Sequence, residues 1–147
     1  MKQRFETFTV LINKISRNIR KIKNQEMAAY GLRSAHVSCL YFLYCAHSLT
    51  ATELCERCEE DKATVSRALE FLEERGFTAR TPKAARRYKS PVYLTEKGLE
   101  AGKRIHDKVG LVLDEVGVGL SDAERDLFYK YLGIISDNLE HITEELS

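Results

Sequence analysis

The sequence predicts a mainly α-helical domain with one small β-hairpin, and three observations carry that expectation. Apolar residues recur at helical spacing along most of the chain, two Ser/Thr-x-x-Glu capping boxes mark helix starts, and both prolines, Pro82 and Pro91, fall in one short basic stretch. With 147 residues, 44% of them apolar and 31% charged, one domain over 1–147 with a real core is expected. The longest uncharged run, 34–52, has 19 residues, but its continuous apolar part spans only about Val37 to Ala46. It reads as a buried helix and not as a membrane span. The opening Met1-Lys2-Gln3-Arg4-Phe5-Glu6 has no apolar h-region, so no signal peptide is expected and the cytoplasm is the expected location. Four cysteines in such a chain do not make a disulfide framework.

In chain order, Phe5, Phe8, Ile12, Ile15, Ile19 and Ile22 form a narrow helical seam, on a helix expected to reach about Tyr30 and stop at Gly31. A second helix, apolar on most of its surface, should run from near Ser34 to about His47 and be the most buried. Thr50-Ala51-Thr52-Glu53 opens a short helix through Cys58. Asp61 caps another that continues to Arg75 and is closed by Gly76. Phe77–Arg80 and Val92–Leu94 are β-compatible runs flanking the proline-containing segment, which reads as a two-stranded hairpin. Thr95 caps a helix to about Val116. Ser121-Asp122-Ala123-Glu124 opens a last one to about Glu145, with an apolar seam through Phe128, Tyr131, Ile135, Leu139, Ile142 and Leu146. Such seams on terminal helices call for a partner, in the same chain or in a second subunit.

The net charge of +1 hides a segregation of sign. Residues 62–95 carry eight basic and three acidic side chains, whereas 96–147 carry six basic and twelve acidic. A basic island of this kind is the footprint of a phosphate-binding surface. Within it, the two short helices separated by Cys58-Glu59-Glu60-Asp61 form a helix-turn-helix candidate. At 100° per residue, Val65, Ala68, Leu69 and Leu72 fall on an inward face, and Lys62, Ala63, Ser66, Arg67 and Glu70 on an outward one. Lys62, Thr64, Ser66 and Arg67 are suitable donors for base edges or phosphates, and Ala63 is small enough to allow close approach. Arg80, Lys83, Arg86, Arg87 and Lys89 then occupy a hairpin whose tip has no apolar residue requiring burial, as suits insertion into a minor groove. A helix-turn-helix followed by a basic hairpin is the winged-helix arrangement.

Gly31-Leu32-Arg33, Leu49-Thr50-Ala51-Thr52-Glu53-Leu54-Cys55-Glu56-Arg57, Asp61-Lys62-Ala63-Thr64-Val65-Ser66-Arg67, Leu72-Glu73-Glu74-Arg75-Gly76-Phe77, the Arg86-Arg87 pair and Val92-Tyr93-Leu94-Thr95-Glu96-Lys97-Gly98 resemble, in order and spacing, the MarR family of bacterial transcriptional regulators. The resemblance implies a winged helix-turn-helix over about 34–95, flanked by dimerisation helices over about 1–30 and 96–147. It further implies a homodimer on double-stranded DNA with a roughly palindromic operator, most simply a repressor released by a small-molecule or redox input. The base- and phosphate-reading set becomes Lys62, Ala63, Thr64, Ser66 and Arg67, with Lys83, Arg86, Arg87 and Lys89 from the wing. Ser34, Thr50 and Thr52 are further phosphate-contact candidates. The family's second wing strand would include Pro91, which has no N–H for a ladder bond.

Cys55-x-x-Cys58 reads as packing residues, with thiol sensing as the alternative; Cys39 and Cys45 take the packing reading too. With no second Cys pair and no closely spaced His pair, a zinc site is not expected, and the cofactor expectation is none. Tyr30, His36, Tyr41 and Tyr44 are candidates to line a pocket for a small aromatic or amphipathic ligand. No phosphate loop, nucleophile–base pair or carboxylate dyad is legible, so an enzyme is not expected. A protein-interaction module that keeps the fold without binding an operator is the alternative of a different class.

Overall fold

The first helix, α1, covers 2–26 of a computed structural model that describes residues 2–58, 60–80 and 89–147. It is α-helical over Lys2–Phe5, π-helical over Glu6–Leu11 and α-helical again over Ile12–Glu26. The wider turns correct the expectation of one unbroken α-helical seam. The hydroxyls of Thr7 and Thr9 donate to the carbonyls of Gln3 (2.8 Å) and Phe5 (2.7 Å), competing with the backbone N–H groups for those acceptors. The α-helix also ends earlier than expected, at Glu26, with a 3-10 turn over Ala28–Tyr30 before Gly31 at φ +70°.

Helix α2 spans Ser34–Ala46, and Val37, Cys39, Leu40 and Leu43 on it are buried. It is followed by an element that the sequence did not predict. Strand β1, Ser48–Leu49, pairs antiparallel with β3, Val92–Leu94, which pairs on its other side with β2, Thr78–Arg80. The expected two-stranded hairpin is therefore the larger part of a three-stranded sheet in the order β1-β3-β2. Two residues are too few to show a period-2 pattern, so β1 left no signal in the sequence. Pro91 is exposed and lies just before β3, so the strand loses no ladder donor to it.

Helix α3 is Ala51–Cys58 and helix α4 is Lys62–Glu74. The inward face read from the helical wheel is the one buried: Val65, Ala68, Leu69 and Leu72 join Leu32, Leu40, Leu43, Leu54, Phe77 and Val92 in the core. Helix α4 ends in a Schellman motif, in which the Phe77 N–H donates to the Leu72 carbonyl (2.8 Å) and the Gly76 N–H to that of Glu73 (3.0 Å). Gly76 sits at φ +78°, where a Cβ would be strained.

Helix α5, Glu96–Val116, is tied to that same corner. The Thr95 hydroxyl donates to the Gly76 carbonyl (2.6 Å) and accepts from the Gly98 N–H (3.1 Å), while the Lys97 ammonium donates to the Arg75 carbonyl (2.7 Å). Gly98 packs so closely that a Cβ there would lie 1.9 Å from the Phe77 carbonyl oxygen.

The described chain divides into two units, 1–107 and 108–147. The second contains helix α6, Asp122–Glu145, opened by the expected capping box: Ser121 Oγ accepts from the Glu124 N–H (3.2 Å) and Glu124 Oε2 from the Ser121 N–H (2.8 Å). No residue of α6 is buried within the chain. In the first unit the α1 seam is likewise exposed from Phe5 to Ile22.

The contact at Gly98 gives the first prediction. Gly98→Ala should lower the unfolding free energy by about 3 kcal/mol, because a backbone carbonyl cannot swing aside as a side chain can. Urea titration checks it, and a loss below about 1 kcal/mol would mean that α5 lifts off the corner without penalty.

Candidate nucleic-acid interface

The candidate surface is built from α3, the turn after it and α4. Thr50 and Glu53 open α3 by the reciprocal bonds that the sequence predicts: the Thr50 N–H donates to Glu53 Oε2 (3.0 Å) and the Glu53 N–H to Thr50 Oγ1 (3.2 Å). Thr50 is half-buried at this cap, whereas Thr52 is exposed on the first turn. At the start of α4, Asp61 Oδ1 accepts from the Thr64 N–H at 2.7 Å. Bonds from the Thr64 backbone and hydroxyl, and then the nearby Arg67 charge, hold the Asp61 carboxyl below its ordinary range.

Thr64 thus serves the cap and is half-buried. Lys62, Ala63, Ser66, Arg67 and Glu70 are exposed, on the face opposite the buried Val65, Ala68, Leu69 and Leu72. The first two turns of α4 therefore offer an ammonium, a methyl, a hydroxyl and a guanidinium on one solvent-facing surface. These are the groups that hydrogen-bond base edges and phosphates or approach bases closely.

Of the wing residues, Lys83, Arg86 and Arg87 lie outside the described residues. Lys89 is described and exposed, next to the buried Ser90. Arg80, also read as a wing cation, instead turns back towards α4, its Nε 3.8 Å from Glu73 Oε2. Ser34 is half-buried at the start of α2, its N–H donating to Asn24 Oδ1 (2.8 Å).

The four ligand candidates separate into three settings. Tyr30 is exposed, accepts a hydrogen bond from Arg104 Nη1 and has the guanidinium over its ring. Tyr41 and Tyr44 both meet His106 of α5, with ring centroids 6.1 and 5.3 Å apart. His36 stacks at 4.5 Å on Phe71 of α4, whose ring also carries Arg75 at 4.8 Å.

The packing reading holds for one of the four cysteines and not for the other three. Cys39 is buried, but Cys45 is exposed, and Cys55 and Cys58 are only half-buried. Burial first, and then the neighbouring Cys58, push the Cys55 thiol up. Cys58 goes the other way: a hydrogen bond from the Cys39 thiol, opposed by burial and helped by Lys23, holds it below its ordinary range. Nothing in the sequence marked Lys23 or paired Cys39 with Cys58, because the meeting of α1, α2 and α3 is purely tertiary. Among the described residues, no group of three or more His, Cys, Asp and Glu side chains is placed to hold a metal ion, and no helix is long and apolar enough to cross a membrane.

Taken together, a helix-turn-helix backed by a three-stranded antiparallel sheet defines a winged-helix DNA-binding fold. The sequence model of the MarR family matches residues 32–85. The transcriptional repressor YetL of Bacillus subtilis is 30% identical over 131 residues, covering 85% of this chain and 76% of YetL. A MarR family regulator from Neisseria meningitidis matches in structure with a TM-score of 0.85 at 21% identity, over 98% of this chain and 99% of that one. MepR of S. aureus, solved in complex with DNA, matches with a TM-score of 0.78 at 19% identity, over 90% of this chain and 97% of MepR. The chain belongs to the MarR family and is a transcriptional regulator with a DNA-binding fold.

His36 supplies a pH prediction. Its Nδ1 accepts from the Arg33 N–H (2.9 Å), which requires the neutral ring; burial, and then the Arg33 charge, hold its pKa below the ordinary value. The folded state therefore binds a proton at His36 less readily than the unfolded chain does. Stability linked to His36 is present above about pH 6.5 and is lost as pH falls from there through the folded-state pKa. In urea titrations at about pH 7.5 and about pH 5.5, the wild type should lose more stability on acidification than His36→Gln. Equal losses would show that His36 titrates alike in both states.

Proposed function

We propose that the protein is a homodimeric, sequence-specific repressor that binds a roughly palindromic operator in double-stranded DNA and is released by a small aromatic or amphipathic ligand. The observation that carries this reading is the exposed face of the first two turns of α4, where Lys62, Ala63, Ser66 and Arg67 share the solvent side of a helix whose opposite face is locked into the core. Lys62, Ser66 and Arg67 read bases or adjacent phosphates in the major groove, Ala63 permits close approach, and Thr64 holds the cap. Arg86 and Arg87 serve the wing, with Lys83 and Lys89 neutralising phosphate, and Ser34, Thr50 and Thr52 at helix starts add backbone contacts. MepR, solved on DNA, supports the choice of partner, and the repressor YetL supports the sign of regulation. The aromatic group of Tyr41, Tyr44 and His106 supports an aromatic ligand.

The exposed seams of α1 and α6 support a dimer, since a monomer would leave more contiguous apolar surface than soluble proteins normally carry. A second copy covering both seams also supplies the second recognition helix that a palindrome requires.

Selection of bound sequences from random duplex DNA tests this reading and yields the operator. Recovery of no motif would leave a protein-interaction module in its place. Given an operator, Arg67→Ala should weaken specific binding by about 1–3 kcal/mol and relax preference at one position per half-site. A uniform loss over all sequences would assign Arg67 to phosphate. Replacing both Arg86 and Arg87 by Ala should lower affinity for every duplex and reduce the log–log salt slope by roughly 2 per wing, since each neutralised phosphate contributes about 0.9. An unchanged slope would remove these two residues from the interface. Sedimentation equilibrium should give twice the chain mass of 16.8 kDa. A clean monomer would sink the palindromic operator.

A further inference from the structure

Cations gather outside the basic island as well. Between Glu6 and Glu26, α1 carries Lys14, Arg17, Arg20, Lys21 and Lys23 and no carboxylate. All five lie on its regular α-helical part, Ile12–Glu26, so a fixed rotation per residue places them. Lys14, Arg17, Arg20 and Lys21 fall within one arc of about 120°, opposite the apolar seam of Ile15, Ile19 and Ile22. These four are exposed, and none of them makes a salt bridge among the described residues. Lys23 is engaged elsewhere, its ammonium donating to Ser38 Oγ on α2 (3.1 Å). Asn24 lies in the same arc as the four, and its Oδ1 accepts from the Ser34 N–H at the start of α2 (2.8 Å). His36, on the first turn of α2, stacks at 4.5 Å on Phe71 of α4. The stripe therefore ends at the start of α2, and α2 there rests on the helix proposed to read DNA.

We propose that this face of α1 is a second phosphate-binding surface, and that its occupant is the backbone of duplex DNA flanking the operator. Lys14 to Lys21 span about 10 Å of helix axis, whereas a duplex strand presents a phosphate about every 3.4 Å along its own axis. Several of these long side chains thus reach phosphates at once, and none has to meet a base. The surface adds affinity and salt dependence but no sequence preference. It lies outside the helix-turn-helix and the wing. The proposal rests on the DNA-binding reading above, because a duplex held by α4 is what brings flanking phosphates to α1.

An apolar seam backed by a basic face is also the pattern of a helix that lies on an anionic membrane. That use needs the apolar face to enter lipid, and Ile15, Ile19 and Ile22 belong to the seam that the proposed second copy covers. A duplex needs only the polar face and leaves the seam to the partner. It is the occupant that both faces of α1 allow together.

The test compares the full chain with a variant carrying Lys14→Gln, Arg17→Gln, Arg20→Gln and Lys21→Gln, which removes four charges and keeps good helix formers. Fluorescence anisotropy reads binding to a duplex trimmed to the selected operator and to one extended on each side by about 20 base pairs, two helical turns, of arbitrary sequence. The two proteins should bind the trimmed duplex alike. On the extended duplex at low salt the variant should bind about tenfold more weakly, with a log–log salt slope lower by at least about 2 per protomer. Exchanging Lys and Arg at the same four positions keeps the charge and should keep the wild-type slope. Equal binding of the extended duplex by wild type and variant would overturn the proposal, and so would a variant weakened equally on both duplexes. Should the fourfold variant fail to fold, Arg17→Gln with Lys21→Gln should give about half the change in slope. A wild type that binds random duplexes without a motif would sink the operator reading alone. A fall in random-duplex affinity in the variant would then keep the phosphate surface, and equal affinity would remove it. A wild type that binds no duplex overturns both. Sedimentation with phosphatidylserine–phosphatidylcholine vesicles should leave the protein in the supernatant, and capture that the fourfold variant loses would overturn the proposal by giving this face to lipid.

Discussion

Helix α4 can present a fixed surface only if its far end is held, and that end is held by a single corner. Gly76 turns the chain out of α4 at a positive φ, Phe77 enters the core, and Thr95 and Gly98 bring α5 against the backbone at that point. The close approach of Gly98 to the Phe77 carbonyl means that α4, the start of β2 and the start of α5 share one rigid origin. Displacing any one of them breaks hydrogen bonds made by the others. The sheet and helix α4 are therefore positioned by the same few atoms.

The opposite end of α4 is organised by charge. Asp61 satisfies an otherwise unpaired backbone donor, and its carboxylate favours the positive end of the helix dipole. That charge also weakens the pull of the helix end on a phosphate, so under the proposed function attraction to DNA falls to side chains, Lys62 and Arg67 among them. Side-chain donors at fixed helical spacing discriminate between base pairs in a way that a helix dipole cannot.

Much of this was legible in the sequence because it is local. Thr50–Glu53 and Ser121–Glu124 are capping boxes within one turn of chain, Gly76 closes a helix a residue away, and the split of α4 into two faces follows from a fixed rotation per residue. What was not legible depends on neighbours distant in the chain or on competition for an acceptor. Strand β1 exists because Leu49 finds Val92, and the Arg80 side chain turns from β2 towards Glu73 of α4. The π-helical turns depend on which donor wins the Gln3 and Phe5 carbonyls. The Cys55–Cys58 spacing drew attention to a sequence pair, whereas the thiol that lowers the Cys58 pKa is that of Cys39, on another helix. Spacing along one helix says nothing about what the next helix brings.

Strand β1 also bears on how the molecule behaves in a crowded solution. A wing joined to its domain by two strands alone would expose one long flank of β3, with backbone donors and acceptors ready to recruit a strand from another molecule. Ser48 and Leu49 occupy that flank, leaving β3 paired on both sides. Among the described residues, the outward edges that remain are β1 itself, only two residues long, and β2, whose last described residue is the charged Arg80. Short and charged edges are poor templates for further pairing. A two-residue strand thus covers the flank of β3 that would otherwise be open to pairing with another chain.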